Sequence, residues 1–350
     1  MEYDFEDSDI KIYKRYSEED INRYIELYLT EKKCGIRFEP LFLLAHKDLK
    51  KKNWLLSELH KGTKLPIDVN EVIDDYSMHL ITLFFILNSS NKMFNYVERN
   101  FIEEYVRNES EIEGVTDKSP NGKEIQAGLE TMYRFLHSPE NNSTTGSIMI
   151  TDLHEKLFSH VEYGKYARAY RTDTRFFPGT GIELEDPYMI PRCMRQADRQ
   201  FDELYKDAED ILNSEPEDKT EKVNPFLEKL MKYKIEIIRI HPFPDGNKRS
   251  TRGVVNFLLE KAGLPPVYVK FSELDKYQEA LIQAMKYGDY QTITNFYKNK
   301  LCDSIEELVI DPFVYAINVY NKTQEEKETK KQKGSNLVRV LKNEENKPKE

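Results

Sequence analysis

Apolar positions recur at helical spacing along most of the chain, whereas the alternation typical of strands is scarce. Ser17 opens one capped amphipathic stretch, and the same periodicity runs through residues 69–87 and 94–111. The exception is 171–185, where two short strand-like runs flank a Pro-Gly-Thr-Gly turn and predict a β-hairpin. An isolated hairpin is marginally stable, so it should lie against helices as a flap. The pattern therefore predicts an all-α fold with a small β-hairpin flap.

Polar segments without periodicity interrupt this pattern. Residues 137–146 and 213–220 predict linkers, and the Lys-, Glu-, Asn- and Gln-rich stretch from about 321 to 350 predicts a disordered or loosely helical tail. The longest apolar run, Leu80 to Leu87, is far shorter than the roughly 20 residues that span a bilayer. The acidic first residues lack the features of a signal peptide, and the three cysteines are scattered. We therefore expect a cytoplasmic protein without a membrane partner.

Composition narrows the class of ligand. The 350 residues carry 52 Lys and Arg against 62 Asp and Glu, a formal net charge of −10. This acidic balance argues against nucleic-acid binding as the main function, although a local basic cleft can still hold a phosphorylated ligand. Hydrophobic residues make up 39% of the chain, which is enough to build a core.

Side chains suited to catalysis concentrate between two predicted helices, in the sequence HPFPDGNKRSTR from His241 to Arg252. His241 titrates near neutral pH and can accept a proton from a hydroxyl. Asp245 is a hard oxygen ligand suited to a Mg²⁺ ion that bridges phosphates. Gly246 lets the backbone approach a ligand closely. The loop therefore contains a base and a metal ligand beside a point of close approach.

The second helix, predicted to begin near Lys248, adds a site for an anion. Its first N–H groups and the positive end of its dipole face the loop. Arg249 and Arg252 lie three residues apart and suit a polyphosphate, while the Asn247 amide can donate to a phosphoryl oxygen. Together these groups predict transfer of a phosphoryl or nucleotidyl group onto a hydroxyl, and they make a merely solvated turn a weak alternative.

The segment from His241 to Arg249 resembles the signature His-Pro-Phe-x-(Asp/Glu)-Gly-Asn-(Gly/Lys)-Arg of the Fic (filamentation induced by cAMP) family at every defined position. Arg252 matches a second arginine found in many members. The resemblance implies a Fic domain over 96–310, with an inhibitory helix at about 96–114. Residues 1–95 would then be a helical regulatory or target-selecting region, and 311–350 a helix end followed by the tail.

The activity implied by this resemblance is transfer of AMP from ATP, with Mg²⁺, to a Ser, Thr or Tyr hydroxyl of an unidentified protein target, the protein itself included. The hairpin would hold the target chain by strand addition. By the same resemblance, His241 is the general base and Asp245 the metal ligand. The nucleotide site would consist of an anion hole formed by Gly246, Asn247 and Lys248, the phosphate-binding Arg249 and Arg252, the buried loop anchor Phe243, and Asn256 at a position near the nucleotide.

The resemblance also implies regulation. Many members carry an inhibitory (Ser/Thr)-x-x-x-Glu-(Gly/Asn) motif, whose glutamate pairs with the second arginine. Glu113 and Gly114 fit the end of that motif, but Glu109 stands where Ser or Thr is expected and Ser110 follows one position later. We expect Glu113 to pair with Arg252, and a solvated acidic helix end is the alternative. Members with such a helix are often dimers, which leaves a homodimer open.

Two departures leave the reaction open. Lys248 stands where most AMP-transferring members have Gly. Lysine there also occurs in the kinase-like Doc branch, which usually has Ala in place of Gly246. Lys286 falls where many members have an adenine-contacting Asn, and lysine offers no acceptor. The alternatives are therefore removal of AMP, phosphorylation, UMP transfer, or a nucleotide-responsive binding module with negligible turnover.

Overall fold

The computed structural model describes residues 94–138, 141, 145–214 and 216–307, together with isolated positions near both ends. The chain divides into two compact units, and the helices described below belong to the unit spanning Asp75–Ile305. The predicted helix beginning at Ser17 and most of the predicted tail lie outside the described residues. Of the predicted helix at 69–87, three described positions are helical and buried: Ile81, Phe84 and Phe85.

Helices dominate the described part of the chain, which contains no β-strand. The all-α prediction is thereby confirmed. Short 3₁₀ helices occupy Glu162–Tyr166, Pro187–Met189 and Phe271–Glu273. The α-helices are α1, Phe94–Ile112; α2, Gly122–Leu136; α3, Gly146–Leu157; α4, Ile190–Asn213; α5, Pro216–Ile240; α6, Asn247–Lys261; α7, Leu274–Tyr287; and α8, Tyr290–Ile305.

Helix α6 lies at the centre of this unit. It packs against α2, α3, α4 and α5, and nearly every residue from Asn247 to Leu259 is buried, polar ones included. Such all-round burial is typical of a core helix. The polar side chains of its first two turns must therefore find partners inside the protein.

The flanking helices are ordinary amphipathic helices. Helix α4 buries residues at spacings of three and four, Ile190, Met194, Ala197, Phe201, Leu204, Ala208 and Ile211. Asp198 of α4 also caps α3, because its Oδ1 accepts from Ser147 N at 2.6 Å and its Oδ2 from Ser147 Oγ at 2.8 Å. These contacts fix α3 and α4 beside the central helix.

Two local predictions need correction. The linker expected at 213–220 is shorter, because α5 begins at Pro216, and proline is favoured in the first helical turn. The flap is a loop with one isolated antiparallel bridge, Phe176 with Glu183, rather than two strands. Phe177 N donates to Ile182 O at 2.8 Å and Leu184 N to Arg175 O at 3.0 Å, so a hairpin turn does form.

Candidate functional site

A six-residue loop joins the end of α5 to the start of α6. Asn247 holds this loop closed: its Oδ1 accepts from Phe243 N at 2.8 Å, and its Nδ2 donates to Phe243 O at 2.7 Å. We had expected this amide to donate to a phosphoryl oxygen. Because both ends are used by Phe243 and the residue is buried, the side chain of Asn247 instead shapes the loop.

Phe243 and His154 form the support beneath the loop. The Phe243 ring is fully buried and stacks on the His154 ring with 3.9 Å between centroids. Phe243 is therefore a buried anchor of the loop, and its place in the nucleotide site stays a prediction. His154 Nε2 donates to Asp245 O at 2.9 Å, and its Nδ1 accepts from Arg168 N at 3.2 Å, which fixes the neutral tautomer. Burial lowers the pKa of His154 to about 4.

Sequence reasoning did not single out His154. It lies in α3, within ordinary amphipathic sequence, and its contact with the loop depends on a residue 91 positions later. The available signal was its place in the Asp152–Phe158 segment, which resembles the first helix of the family core.

The start of α6 is open to an anion. Gly246 is its N-cap residue, with φ 77° and no side-chain cap. The N–H groups of Asn247, Lys248 and Arg249 have no hydrogen-bond partner among the described residues, and the first bonded amide is Ser250 N to Gly246 O. Three unused donors and the helix dipole converge here, as expected of a phosphate site.

Arg249 lies beside these amides. Its guanidinium is buried over the Phe158 ring, 5.5 Å from the centroid, and Nη2 pairs with Asp245 Oδ2 at 3.0 Å. Its Nη1 is buried with no partner in the part of the chain that the structure describes. A buried, unpaired guanidinium N–H is costly unless a ligand accepts from it. Arg249 is therefore poised for an anion.

Asp245 is the predicted metal ligand. Its side chain is 69% exposed and pairs with Arg249 in the first turn of α6. No cluster of three or more metal-ligating side chains exists among the described residues. One accessible carboxylate beside a phosphate site nevertheless fits Mg²⁺, which proteins bind through one or two carboxylates together with substrate phosphates.

Arg252 is held by two glutamates of α1 and its end. Its Nε donates to Glu109 Oε2 at 2.6 Å, and its Nη2 to Glu113 Oε1 at 2.9 Å. Lys248 Nζ lies 3.0 Å from Glu113 Oε2, so Glu113 bridges two cations one turn apart on α6. The predicted contact between Glu113 and Arg252 is thus present, and Glu109 is a partner that the sequence did not reveal.

The two glutamates differ in environment. Glu109 is fully buried, and burial raises its pKa despite the charge of Arg252. The side chain of Glu113 is 15% exposed. Burial acts to raise the pKa of Glu113 as well, but the charges of Arg252 and Lys248 outweigh it and the pKa is lowered. Glu113 is therefore ionised, and its negative charge lies beside Lys248 and Arg252.

The position of Glu113 follows from how α1 ends. Gly114 has φ 68°, and Val115 N donates to Ser110 O at 2.8 Å, which is the hydrogen bond of a Schellman C-cap. Ser110 uses its hydroxyl within its own helix, donating to Val106 O at 2.6 Å. The cap stops the helix just after Glu113 and leaves its carboxylate directed at α6.

His241 lies at the end of α5 with an unusual backbone, φ 49°. Its Nδ1 is buried while the residue as a whole is half-buried, so Nε2 is the nitrogen available to a substrate hydroxyl. Burial, followed by the charges of Arg171 and Arg175, lowers the pKa of His241 to about 4. The imidazole is thus neutral at neutral pH, as a proton acceptor must be.

Two further positions singled out in the sequence, Asn256 and Lys286, have local partners in the structure. Asn256 is buried and pairs with Val267, through Nδ2 to Val267 O and Oδ1 to Val267 N, both at 2.9 Å. Asn256 therefore holds the segment at Val267, and its predicted place near the nucleotide stays a prediction. Lys286 is exposed in the last turn of α7, with Nζ 5.1 Å from the Tyr287 ring centroid.

Within the described regions, no helix has the length and apolarity needed to cross a bilayer.

Comparison with known proteins gives matches to the part of the chain that contains the loop and α6. Residues 146–259 match the model of the Fic/DOC family. Over 85 residues the chain is 34% identical to a protein adenylyltransferase Fic of Nematostella vectensis, and over 93 residues it is 39% identical to one of Drosophila willistoni. These alignments cover 24% and 27% of this chain and 18% of each relative.

A solved structure gives the same result for the fold. Residues 134–508 of Fic-1 from C. elegans superpose with a TM-score of 0.51 at 19% identity, covering 77% of this chain and 80% of that one. At this identity the likeness concerns the fold alone. The matched segment of 146–259 lies inside the predicted domain of 96–310, whose outer limits stay predictions.

Proposed function

Since the chain carries a Fic/DOC-family domain over residues 146–259, we propose that it is an autoinhibited protein adenylyltransferase, which transfers AMP from ATP to a Ser, Thr or Tyr hydroxyl of a protein. The observation that carries this proposal is the anion site at the start of α6. There, within the part of the chain that the structure describes, the buried Arg249 Nη1 has no partner, and three backbone amides beside it are unused. A triphosphate supplies the acceptors that these donors need.

In this reaction His241 Nε2 takes the proton of the target hydroxyl as its oxygen attacks the α-phosphorus of ATP. The bond between the α-phosphorus and the bridging oxygen breaks, and pyrophosphate leaves. Arg249 and the N–H groups of Asn247 and Lys248 bind the phosphates and stabilise the charge that develops on them. The low pKa of His241 keeps Nε2 free to accept the proton at neutral pH.

Asp245 would hold a Mg²⁺ ion with the nucleotide phosphates. The ion supplies charge neutralisation to the departing pyrophosphate. In the structure described here Asp245 pairs with Arg249 at 3.0 Å, so both side chains would exchange partners when the magnesium nucleotide binds. The flap would present the target chain beside His241, because its end is bonded to the last turn of α5, where Glu185 N donates to Arg239 O at 3.0 Å.

The glutamate bridge supports autoinhibition. Glu113 forms ion pairs with Lys248 and Arg252, which lie on the first two turns of α6. A γ-phosphate reaching Arg252 would have to displace this carboxylate and would meet its negative charge. Removal of Glu113 should therefore increase transfer.

The test is intact-mass spectrometry of the purified protein after incubation with Mg²⁺ and ATP, with CTP, GTP and UTP in parallel. Three proteins are compared: wild type, Glu113→Gly, and Glu113→Gly combined with His241→Ala. We expect a gain of one AMP that is strong in Glu113→Gly, weak in wild type and absent from the double variant. The same experiment on candidate target proteins extends it beyond self-modification.

Each other outcome counts against a named part of the proposal. A phosphate-sized gain would replace nucleotidyl transfer by phosphorylation, and a UMP-sized gain with UTP would change the nucleotide. Equal gain in wild type and Glu113→Gly would remove autoinhibition. Thermal stabilisation by ATP without any product, in Glu113→Gly as in wild type and with candidate targets as well, would favour a nucleotide-responsive binding module.

A further inference from the structure

Arg171 is a buried arginine at the start of the flap whose hydrogen bonds converge on the loop that carries His241. It is 2% exposed. Its Nε donates to His241 O at 2.7 Å, its Nη2 to Ile240 O at 3.2 Å, and its backbone N–H to Pro242 O at 2.9 Å. One residue therefore binds three consecutive carbonyls at the end of α5.

The same guanidinium also holds the flap. Nη1 donates to Asp173 O, and Nη2 donates to Glu185 O at the far end of the flap. A planar guanidinium can serve acceptors on both sides at once, which a lysine ammonium on a flexible stem cannot reproduce. Arg171 thus joins the two ends of the flap to the carbonyls around His241.

These bonds meet a specific need of the loop. His241 has φ 49°, a left-handed conformation that is unfavourable for a residue with a Cβ. Among the described residues, the carbonyls of Ile240, the last residue of α5, and of His241, the first residue of the loop, also receive no helical hydrogen bond. The charged guanidinium of Arg171 donates to those carbonyls, and a positive charge is also favourable near a helix C-terminus. Arg171 therefore stabilises the backbone conformation in which His241 presents Nε2.

We propose that Arg171 is a positioning residue, which fixes the general base and the target-binding flap relative to each other. Its side-chain donors are used by the protein's own backbone carbonyls, so its effect should fall on the rate of transfer and not on nucleotide affinity. The inference rests on the proposed function, since it assigns His241 and the flap the roles given there.

The charge of Arg171 and its hydrogen bonds can be tested separately with two variants. The charges that face the His241 ring are those of Arg171 and Arg175 on the flap and Lys248 on α6. Arg171→Gln removes one of these charges and the planar fork, so the pKa of His241 should rise. Arg171→Lys keeps the charge but loses most of the hydrogen bonds, so it should lower the rate with little change in that pKa.

The experiment uses the full chain in the Glu113→Gly background. Rates of AMP transfer are measured from pH 4 to 8 against ATP concentration, and ATP affinity is measured separately by calorimetry. For both Arg171 variants we expect a fall in kcat of about 100-fold, the effect of a small misplacement of a catalytic group, with KM and Kd for ATP within about 2-fold of the parent. The acidic limb should move to higher pH in Arg171→Gln and stay in place in Arg171→Lys.

A matched control is Arg134→Gln, an exposed arginine of α2 that pairs with Glu130 of the same helix at 2.9 Å. It should match the parent in rate, affinity and pH profile. Thermal unfolding of all variants shows whether they fold. Parental kcat in both Arg171 variants would overturn the proposal, and so would a loss of ATP affinity equal to the loss of rate.

Two readouts separate this inference from the proposed function. The pKa of His241 is followed by NMR with labelled histidine, and hydrogen exchange is followed at the flap amides. If the parent protein transfers no nucleotide, the proposed function fails, and these readouts still decide the role of Arg171. A raised His241 pKa and faster flap exchange in Arg171→Gln support it, whereas unchanged values for both overturn it.

Discussion

Glu109→Gln is the substitution whose effect follows most directly from the burial of the site. Glu109 and Arg252 are 0% and 3% exposed, and Nε of Arg252 lies 2.6 Å from Glu109 Oε2. Removing one member of a buried ion pair costs about 3–5 kcal/mol, because the other charge stays buried without its partner. Glutamine keeps the shape and one acceptor, and Glu113 still pairs with Arg252. We therefore expect the lower end, about 3 kcal/mol.

For a unit of this size, each kcal/mol shifts the unfolding temperature by about 2–4 °C, so Glu109→Gln should unfold about 6–12 °C below wild type. Glu113→Gln provides the comparison on the same arginine. Its side chain is 15% exposed and can be solvated after the change, so we expect a loss of about 1 kcal/mol, or about 2–4 °C. Differential scanning calorimetry at pH 7 measures both, and AMP incorporation is followed in parallel.

The less destabilised of the two variants should show the larger change in AMP transfer. Glu113→Gln should increase transfer, whereas Glu109→Gln should not, because Glu113 still bridges Arg252 and Lys248. A combined Glu109→Met and Arg252→Met variant removes both charges together and should regain much of the lost stability. If Glu109→Gln unfolds within 1 °C of wild type, or Glu113→Gln is the less stable variant, the argument from burial is refuted.

Three other predictions concern the loop and its support. A Cβ on Gly246 would lie 2.7 Å from Phe158 Cε2 at a φ of 77°, so Gly246→Ala should lower transfer by about 100-fold in a steady-state assay, and parental activity would contradict this. Lys248→Ala removes one of the cations that hold Glu113, so basal AMP incorporation should rise, though less than in Glu113→Gly; no rise would contradict the bridge. The folded-state pKa of His154, about 4, lies below the ordinary value of 6.5, so its contribution to stability is complete above pH 6.5 and is lost as the pH falls towards 4. The slope is at most about 1.4 kcal/mol per pH unit, and unfolding temperatures measured from pH 7.5 to 4.5 should depend less on pH in His154→Gln.

What the sequence could predict was local. The loop from His241 to Arg252 and the start of α6 follow from contiguous residues whose types limit the backbone, such as Gly246 at a positive φ. The C-cap at Gly114 follows from the same kind of rule. Helical periodicity likewise predicted α1 over 94–111, within one residue of its observed end at Ile112.

What the sequence could not predict depends on distant chain segments. Glu109 lies in an acidic run that resembles a solvated helix face, but it is buried, and its partner Arg252 lies 143 residues later. Arg171 lies in a strand-like run, and its acceptors are backbone carbonyls, which carry no side-chain signal. The sequence suggested the amide of Asn247 as a ligand donor, and the family resemblance placed Asn256 near the nucleotide. In the structure, both amides are paired with backbone groups nearby in space.

The charges of the site explain why a carboxylate should regulate it. Lys248, Arg249 and Arg252 lie on two turns of one helix, at its positive end, and two of them are buried. Such cations are costly without counter-charges. Asp245, Glu109 and Glu113 supply those charges, and a nucleotide must replace some of them to bind. Exposure then decides which carboxylate can leave: Asp245 and Glu113 can regain solvent, whereas Glu109 cannot. In the proposed function, Glu109 would therefore keep Arg252 in place, while Glu113 would determine whether a phosphate can reach it.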